Sequence, residues 1–512
     1  MRAPLSPQSE AANGVGLPLH DEKDNDKYPV DLLSPTLLSV GWQSTFVTPS
    51  IPIAPECMKL SPLDQMENRF ILPTVLVFHV SSPALRQSLL QNLKIGLAKM
   101  IEELSFLAGD VIPDCEEQGT VQLQISENAG VWFHSQELPG IDYYALERRN
   151  FPPSAFPLLS LMPEPRVHHP KRSPVLTLLA SFINDGLVLT TNYHHAVMDA
   201  SAVFTMVKRL AKHVAASTDG RIISPDDGFP EEALDRSNVF GGSGRKEVCD
   251  FPNYRLGKTY RSAVERELME AALAEDHPKR QLMQKLELSH WFISDNSMQS
   301  MREAAFPLSE GLPVLTDHTI LSAVLWRRIS RARQLSSRGI MTTSFMTTVN
   351  VRRRMDPPLP LDYAGNAVIH AKTSAATADM ESTEPGTLYN LAKQITDAIE
   401  WWTPERIRDL IGAIESNTEV SKIEPNMDNF LGSDVEVSSA ASMGDVSSSY
   451  WGCELQKLKA VRYGYARVKD GWISILPQGN DGGIDLLIGL EKSTLDRLRQ
   501  DTEWLQLAQE SL

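Results

Sequence analysis

The sequence predicts an α/β protein of two lobes, each a mixed sheet with flanking helices. Three observations carry that expectation. Short runs that favour strands alternate with segments whose apolar residues recur at helical spacing. Residues 217–258 are rich in Gly, Pro, Asp and Ser and hold no sustained period, as a crossover between lobes would. The chain has 512 residues, enough for about three domains at roughly 150 residues each, or for two large ones.

Taken in order, residues 1–27 read as a mobile polar tail, and the Pro-punctuated 28–55 opens an N-terminal lobe that runs to 216. Phe70–Val80 reads as a strand. Leu85–Leu104 has apolar residues at Leu85, Leu89, Leu93, Ile95, Leu97 and Ile101, a spacing nearer 3.6 than 2 that predicts an amphipathic helix. Gln122–Ile125 and Val131–Phe133 read as short strands. Val175–Ile183 and Leu187–His194 are β-prone runs separated by Asn184-Asp185-Gly186, residue types that tolerate positive φ, so they predict a hairpin. Asp199–Ala216 follows as a helix with Val203, Phe204, Val207, Leu210 and Val214 on one face. After the crossover, a C-terminal lobe over 259–512 starts with the strand Leu286–Ile293 and helices at Met298–Ala305 and Asp317–Arg333. A strand Ser344–Val351, a polar stretch Ser374–Pro385 and helices at Leu388–Trp401 and Pro404–Ile414 come next. The end is strand-rich, with Val435–Ser438, Val461–Arg467, Trp472–Leu476 and Ile484–Leu490 before a helix from Ser493.

Composition narrows the function classes. With 49 basic against 65 acidic residues the net charge is −16, which disfavours nucleic acid and anionic membrane as partners. No apolar run reaches the roughly 20 residues of a membrane helix, and the first 30 residues lack the apolar core of a signal peptide. The 4 cysteines, Cys57, Cys115, Cys249 and Cys453, are scattered without a C-x-x-C pair. That pattern excludes a disulfide scaffold and a Cys-rich zinc site, and fits a reducing, cytoplasmic setting.

The most informative stretch is His194-His195-Ala196-Val197-Met198-Asp199, where a strand ends and a helix begins. Consecutive strand residues face opposite ways, so the two histidines serve different ends. A neutral imidazole can take a proton from a hydroxyl and return it to a leaving group. Asp199 can cap the helix or hold an arginine that braces the turn. From the spacing alone three readings stand open: polar residues at a strand end, a catalytic base, or a metal site, which would need a third ligand and a convergent geometry that an adjacent pair on one strand cannot supply.

Further segments occur in a telling order: Leu60–Gln65, Phe106-Leu107-Ala108-Gly109, Phe151-Pro152-Pro153, Leu315-Thr316-Asp317 leading to Ala323–Arg327, Asn350–Arg354 with Pro357–Pro360 and Tyr363-Ala364-Gly365-Asn366, and Asp481-Gly482-Gly483-Ile484-Asp485 with Gly489-Leu490. Together with the histidine motif they resemble the BAHD-type acyltransferases, in particular the fungal secondary-metabolite branch that includes trichothecene 3-O-acetyltransferases. The resemblance runs from about residue 58 to 505. One motif departs: where the family has Asp-Phe-Gly-x-Gly, this chain has Tyr450-Trp451-Gly452-Cys453-Glu454.

The resemblance implies two chloramphenicol-acetyltransferase-like lobes with an active-site channel between them. It implies His195 as general base and Asp199 as a structural brace. Acetyl-CoA, or another acyl-CoA, would be the co-substrate and a small-molecule alcohol the acceptor, with no bound cofactor, no metal and a monomeric enzyme. It places donor contacts at Thr316 and Asp317, where free backbone amides at a helix start favour an anion. Eight arginines and no acid lie between Arg327 and Arg354, which makes that stretch, Arg352 included, a candidate for the phosphates of CoA. Ser439 and His194 are the candidates for oxyanion or substrate contacts. A condensation-like enzyme fed by a carrier protein and a non-catalytic family member remain as alternatives. No Gly-x-Ser-x-Gly elbow is present, which argues against a serine acyl-enzyme.

Overall fold

The computed structural model describes residues 40–511 apart from 116, 157, 163–171, 259–280, 282–283, 307–311, 429–430, 464–468 and 478–481. The tail expected over 1–27 and the loop histidines His168 and His169 lie outside the described residues. In chain order, the strands of the two large sheets are β1 (Val40–Val47), β2 (Ile71–His79), β3 (Val131–Asp142), β4 (Leu176–Asn184), β5 (Gly186–His194), β6 (Leu286–Ile293), β7 (Thr342–Asn350), β8 (Val368–Ala376), β9 (Val435–Ser439), β10 (Ala460–Tyr463), β11 (Trp472–Ile475), β12 (Ile484–Glu491) and β13 (Ala508–Glu510). Helices that position the site or cover the sheets include α1 (Pro62–Met66), α2 (Arg86–Glu103), α3 (Ala200–Asp219), α4 (Asp295–Ala304), α5 (Asp317–Ala332), α6 (Thr387–Glu400) and α7 (Pro404–Glu415).

The first sheet is six-stranded in the order β1-β3-β4-β5-β2-β10, and the second is seven-stranded in the order β8-β7-β9-β11-β12-β6-β13. Both are mixed: β3 and β4 run parallel in the first, β7, β9 and β11 in the second, and the remaining pairs are antiparallel. The β4–β5 hairpin forms where the sequence predicts it. The left-handed residue of its turn is Asp185, at φ 56°, with Asn184 and Gly186 still in the strands. Every residue of β5 is buried, the polar Thr190, Thr191, Asn192 and His194 included, as in a central strand covered on both faces.

One face of the first sheet is covered by α2 and α3, whose Leu89, Leu93, Leu97, Val203, Val207 and Leu210 are fully enclosed. Burial of each such side chain contributes roughly 1.5–3 kcal/mol. The two helices approach closely at Gly96, where a Cβ would meet Val214 Cγ2 at 2.5 Å. In the second sheet Leu325, Trp326 and Ile329 of α5 pack on Phe345, Val437 and Ile473. A separate apolar cluster joins the halves of the chain: Leu63 and Met66 of α1 pack with Val351, Met355, Tyr363, Ile407 and Leu410.

Two sequence expectations need correction. Residues 460–463 do not extend the C-terminal lobe's sheet; β10 crosses back and pairs antiparallel with β2, Ala460 opposite Val77. The stretch expected to be polar loop from Ser374 begins inside β8, an edge strand along β7 whose alternation of exposed and buried residues hides it from an apolar-run search. Residues 217–219 finish α3, and the rest of the expected crossover is a series of 3₁₀ turns ending in a short strand, Tyr254–Leu256, paired with Ile423–Pro425.

Candidate active site

His195 follows the last residue of β5 in a tight turn that ends at α3. Its N–H donates to the Phe70 carbonyl at 3.0 Å, and Val197 N–H closes the turn on the His194 carbonyl at 3.0 Å. The helix then starts on Asp199, whose Oδ1 accepts from Ala202 N–H at 2.9 Å, and stops at Gly220 in the left-handed region at φ 65°. The His195 ring keeps 21 % of its surface open. Phe70 stands edge-on to it at 6.1 Å and Tyr193 tilted at 6.3 Å.

Asp199 performs both tasks its position allows. Besides capping α3 it receives the Arg352 guanidinium, Nη1 to Oδ2 at 2.8 Å and Nη2 to Oδ1 at 2.9 Å, and its Oδ2 also accepts from Ala367 N–H at 2.9 Å. Arg352 in turn donates to the carbonyls of Tyr363 and Gly365 at 2.8 and 3.0 Å. The turn carrying His195 is thereby braced by a segment from the other half of the chain.

A second node holds the same turn from α1. Ser61 and Asp64 form a capping box around Pro62, and Asp64 Oδ2 also accepts from Arg236 Nη1 at 2.5 Å. Asp64 Oδ1 takes the N–H and the Nδ2 of Asn366, both at 2.9 Å. Asn366 Nδ2 also reaches the His195 carbonyl at 3.1 Å, while Arg236 Nη2 reaches the Val197 carbonyl at 3.2 Å. Burial presses the Arg236 guanidinium down, but the Asp64 charge outweighs it and holds the group above its ordinary range. Burial, reinforced by Asp64, raises the Tyr363 phenol well above its ordinary value. Glu67, the residue that ends α1, lies with Oε2 3.7 Å from His195 Nδ1.

The remaining sequence candidates are placed less centrally. His194 is fully buried and offers no surface to a ligand, which corrects its assignment to substrate contacts; its N–H completes the strand by donating to Val175 O at 2.8 Å. Arg352 is 1 % exposed and engaged as described, which corrects its assignment to CoA phosphates. The arginine stretch as a whole is largely paired with groups that lie elsewhere in the sequence. Arg333 binds Asp470 at 2.9 Å with both buried, Arg328 meets Asp501 and Glu503, and Arg327 donates to the Met380 and Ser382 carbonyls. Thr316 caps α5 by accepting from Thr319 N–H at 3.3 Å. Asp317 pairs with Arg302 at 2.7 Å, a contact that holds its carboxyl below the usual range. Ser439 ends β9 and accepts from Ala441 N–H at 3.3 Å. Among the described residues no group of three or more His, Cys, Asp or Glu side chains is gathered as metal ligands, and no helix is long and apolar enough to cross a membrane.

At the departing motif, Trp451 is fully buried and Gly452 takes φ 88° against Thr218. The carboxylate there comes from the end of α3: Asp219 Oδ1 accepts from Cys453 N–H at 2.9 Å and from the Tyr450 hydroxyl at 3.5 Å. Sequence reasoning assigned no role to Glu67, Asp64, Arg236 or Asn366. Three of them fall in or beside the motifs quoted above, Leu60–Gln65 and Tyr363–Asn366. Arg236 sits in the crossover, where nothing local marks it.

Two mixed sheets with a half-enclosed histidine at their seam are the architecture of a two-lobed acyltransferase. The model described as the Transferase family matches residues 41–505, and the chain belongs to that family, the BAHD-type acyltransferases. It is 26 % identical over 488 residues to the acyltransferase cm3D of Cordyceps militaris, covering 91 % of this chain and 99 % of that one. It is 23 % identical over 461 residues to the trichothecene 3-O-acetyltransferase TRI101 of Fusarium sporotrichioides, covering 85 % and 92 %. The crystal structure of F. graminearum TRI101 complexed with coenzyme A and T-2 mycotoxin superimposes with a TM-score of 0.73 at 19 % identity, covering 89 % of this chain and all of that one. The two-lobed α/β fold and the acyltransferase class expected from the sequence are therefore established.

Proposed function

We propose that the protein is an acyl-CoA-dependent O-acyltransferase that moves an acetyl group from acetyl-CoA to a hydroxyl of a small secondary metabolite. The observation that carries this reading is the position of His195. Its N–H is held by the Phe70 carbonyl and its carbonyl by Asn366, while 21 % of its side-chain surface stays open. In this reading the ring accepts the hydroxyl proton as the oxygen attacks the thioester carbonyl, and returns it to the sulfur as the tetrahedral intermediate collapses. Donor and acceptor would meet in a ternary complex without an acyl-enzyme, so proximity supplies much of the acceleration. Thr316, Asp317 and Ser439 are proposed to line the donor path and the oxyanion site. The acetyl preference and the class of acceptor follow the relatives' names.

The test is thiol release from acetyl-CoA in the presence of a panel of hydroxylated small molecules. The wild-type protein should release thiol with at least one of them. His195→Ala should slow that release by about 10²–10⁴-fold, the usual contribution of a general base. An unchanged rate in the variant would remove His195 from the chemistry.

A further inference from the structure

We infer that Glu67 is the positioning residue of His195: its carboxylate keeps the ring proton on Nδ1, leaves Nε2 bare to act as the base, and stabilises the imidazolium formed in each turnover. The inference rests on His195 being the base and adds a residue that the motif does not contain.

Four observations place Glu67 in this role. Nδ1 is enclosed and lacks a hydrogen-bond partner, and Glu67 Oε2, 3.7 Å away, is the charged group that faces it. Glu67 is itself 9 % exposed, and its carboxylate makes no other ion pair or side-chain hydrogen bond among the described residues. An ionised carboxylate only accepts, so it favours a proton on the nitrogen that faces it. Acid and ring are also held to one scaffold. Glu67 N–H donates to Asp64 O at 3.2 Å at the end of α1, and Asp64 binds Asn366, which grips the His195 carbonyl. Finally, Asp199 is fully occupied by Arg352, Ala202 and Ala367, so it is not the partner of the ring.

The separation is longer than a hydrogen bond, as suits a contact that tightens when the ring becomes charged. When Nε2 takes the hydroxyl proton, the ring gains a positive charge beside the Glu67 carboxylate. When Nε2 delivers the proton to the thiolate sulfur, the charge is discharged and both groups return to their starting states. The other charges around the turn are paired, Asp64 with Arg236 and Asp199 with Arg352, and Arg69 donates to Gln65 Oε1 at 3.5 Å.

The test reads the ring directly and needs no acceptor. The full-length protein, labelled with ¹⁵N on its histidine rings, is compared with Glu67→Gln, and the His195 signals are assigned by their loss in His195→Gln. At pH 8 the wild type should show a protonated Nδ1 and a bare Nε2. Glu67→Gln should move the ring toward a tautomer mixture, with an unchanged melting temperature. A wild-type ring with its proton on Nε2 overturns the inference even if the variant does not fold, and so does a folded variant with an unaltered ring spectrum. Neither result depends on turnover, whereas failure of His195 as base would show as thiol release surviving in His195→Ala.

Discussion

A guanidinium with 1 % of its surface exposed has to be neutralised where it sits, and Asp199 does this for Arg352 with two parallel hydrogen bonds. Removing one member of such a pair leaves a buried charge without compensation, which typically costs about 3–5 kcal/mol. Arg352→Gln should therefore lower the melting temperature sharply. In the protein that stays folded, the KM for acetyl-CoA should change little. A variant with wild-type stability and a raised KM would instead put the guanidinium on a phosphate. Asp199 shows what a linear motif exposes: its distance from His195 is short and fixed by chain geometry, so both the cap and the brace could be read from spacing. Glu67 and Asn366 lie far away in sequence and meet His195 only through tertiary packing, so no local period marks them. The arginine stretch shows the reverse hazard. Its density is legible, but its partners Asp199, Asp470, Asp501 and Glu503 are distant, and without them the stretch looks like free positive charge.

Among the elements, the segment Tyr363–Ala367 does most to join the lobes at the motif. Its carbonyls take Arg352, its Asn366 reaches Asp64 and His195, and its Ala367 N–H reaches Asp199. Gly365 lets it lie this close: a Cβ there would collide with Arg236 Nη1 and come within 2.6 Å of the Tyr363 hydroxyl. Gly365→Ala should cost about 1–3 kcal/mol through overpacking. It should also reduce turnover more than a stability-matched core variant such as Leu89→Ala, because the displaced segment holds the His195 carbonyl. Equal losses in both variants, in melting and in turnover assays, would show that the segment acts on stability alone. The elements that sequence reasoning recovers best are those whose signal is local, the β4–β5 hairpin and helices α2, α3 and α5. The strands it missed or shortened, β1, β8 and most of β3, lie at or beside an edge of a sheet. One face of an edge strand meets solvent, polar residues such as Lys372 and Thr373 interrupt the apolar run, and the pairing partner rather than composition decides the structure.

For the whole molecule, the decisive feature is that the chain does not respect the boundary between its lobes. It leaves the second sheet after β9, adds β10 to the first beside β2, and returns as β11 beside β9. Without β10, the backbone edge of β2, a strand buried along most of its length, would be unpaired. The crossing is reinforced on the far side of the motif. Arg462 of β10 donates to the Phe151 and Asn150 carbonyls at 2.9 and 2.8 Å and lies 3.5 Å from Asp485 of β12, which also binds His290 of β6 at 2.8 Å. Burial works against the Asp485 carboxylate, but His290 and Arg462 together hold it below the usual range, so this junction stays charged at neutral pH. Two lobes of this size joined only by a linker would unfold in separate steps. Here unfolding the second sheet frees both ends of β10, which strips a strand from the first, and it also releases Asn366 and Arg352 from Asp64 and Asp199. Loss of either lobe therefore removes part of the other's sheet or its buried charge pairs. Differential scanning calorimetry of the full-length protein should accordingly show one unfolding transition. Two resolved transitions in the wild type would mean that β10 and the charged nodes do not couple the lobes, and that the seam around His195 is an ordinary domain interface.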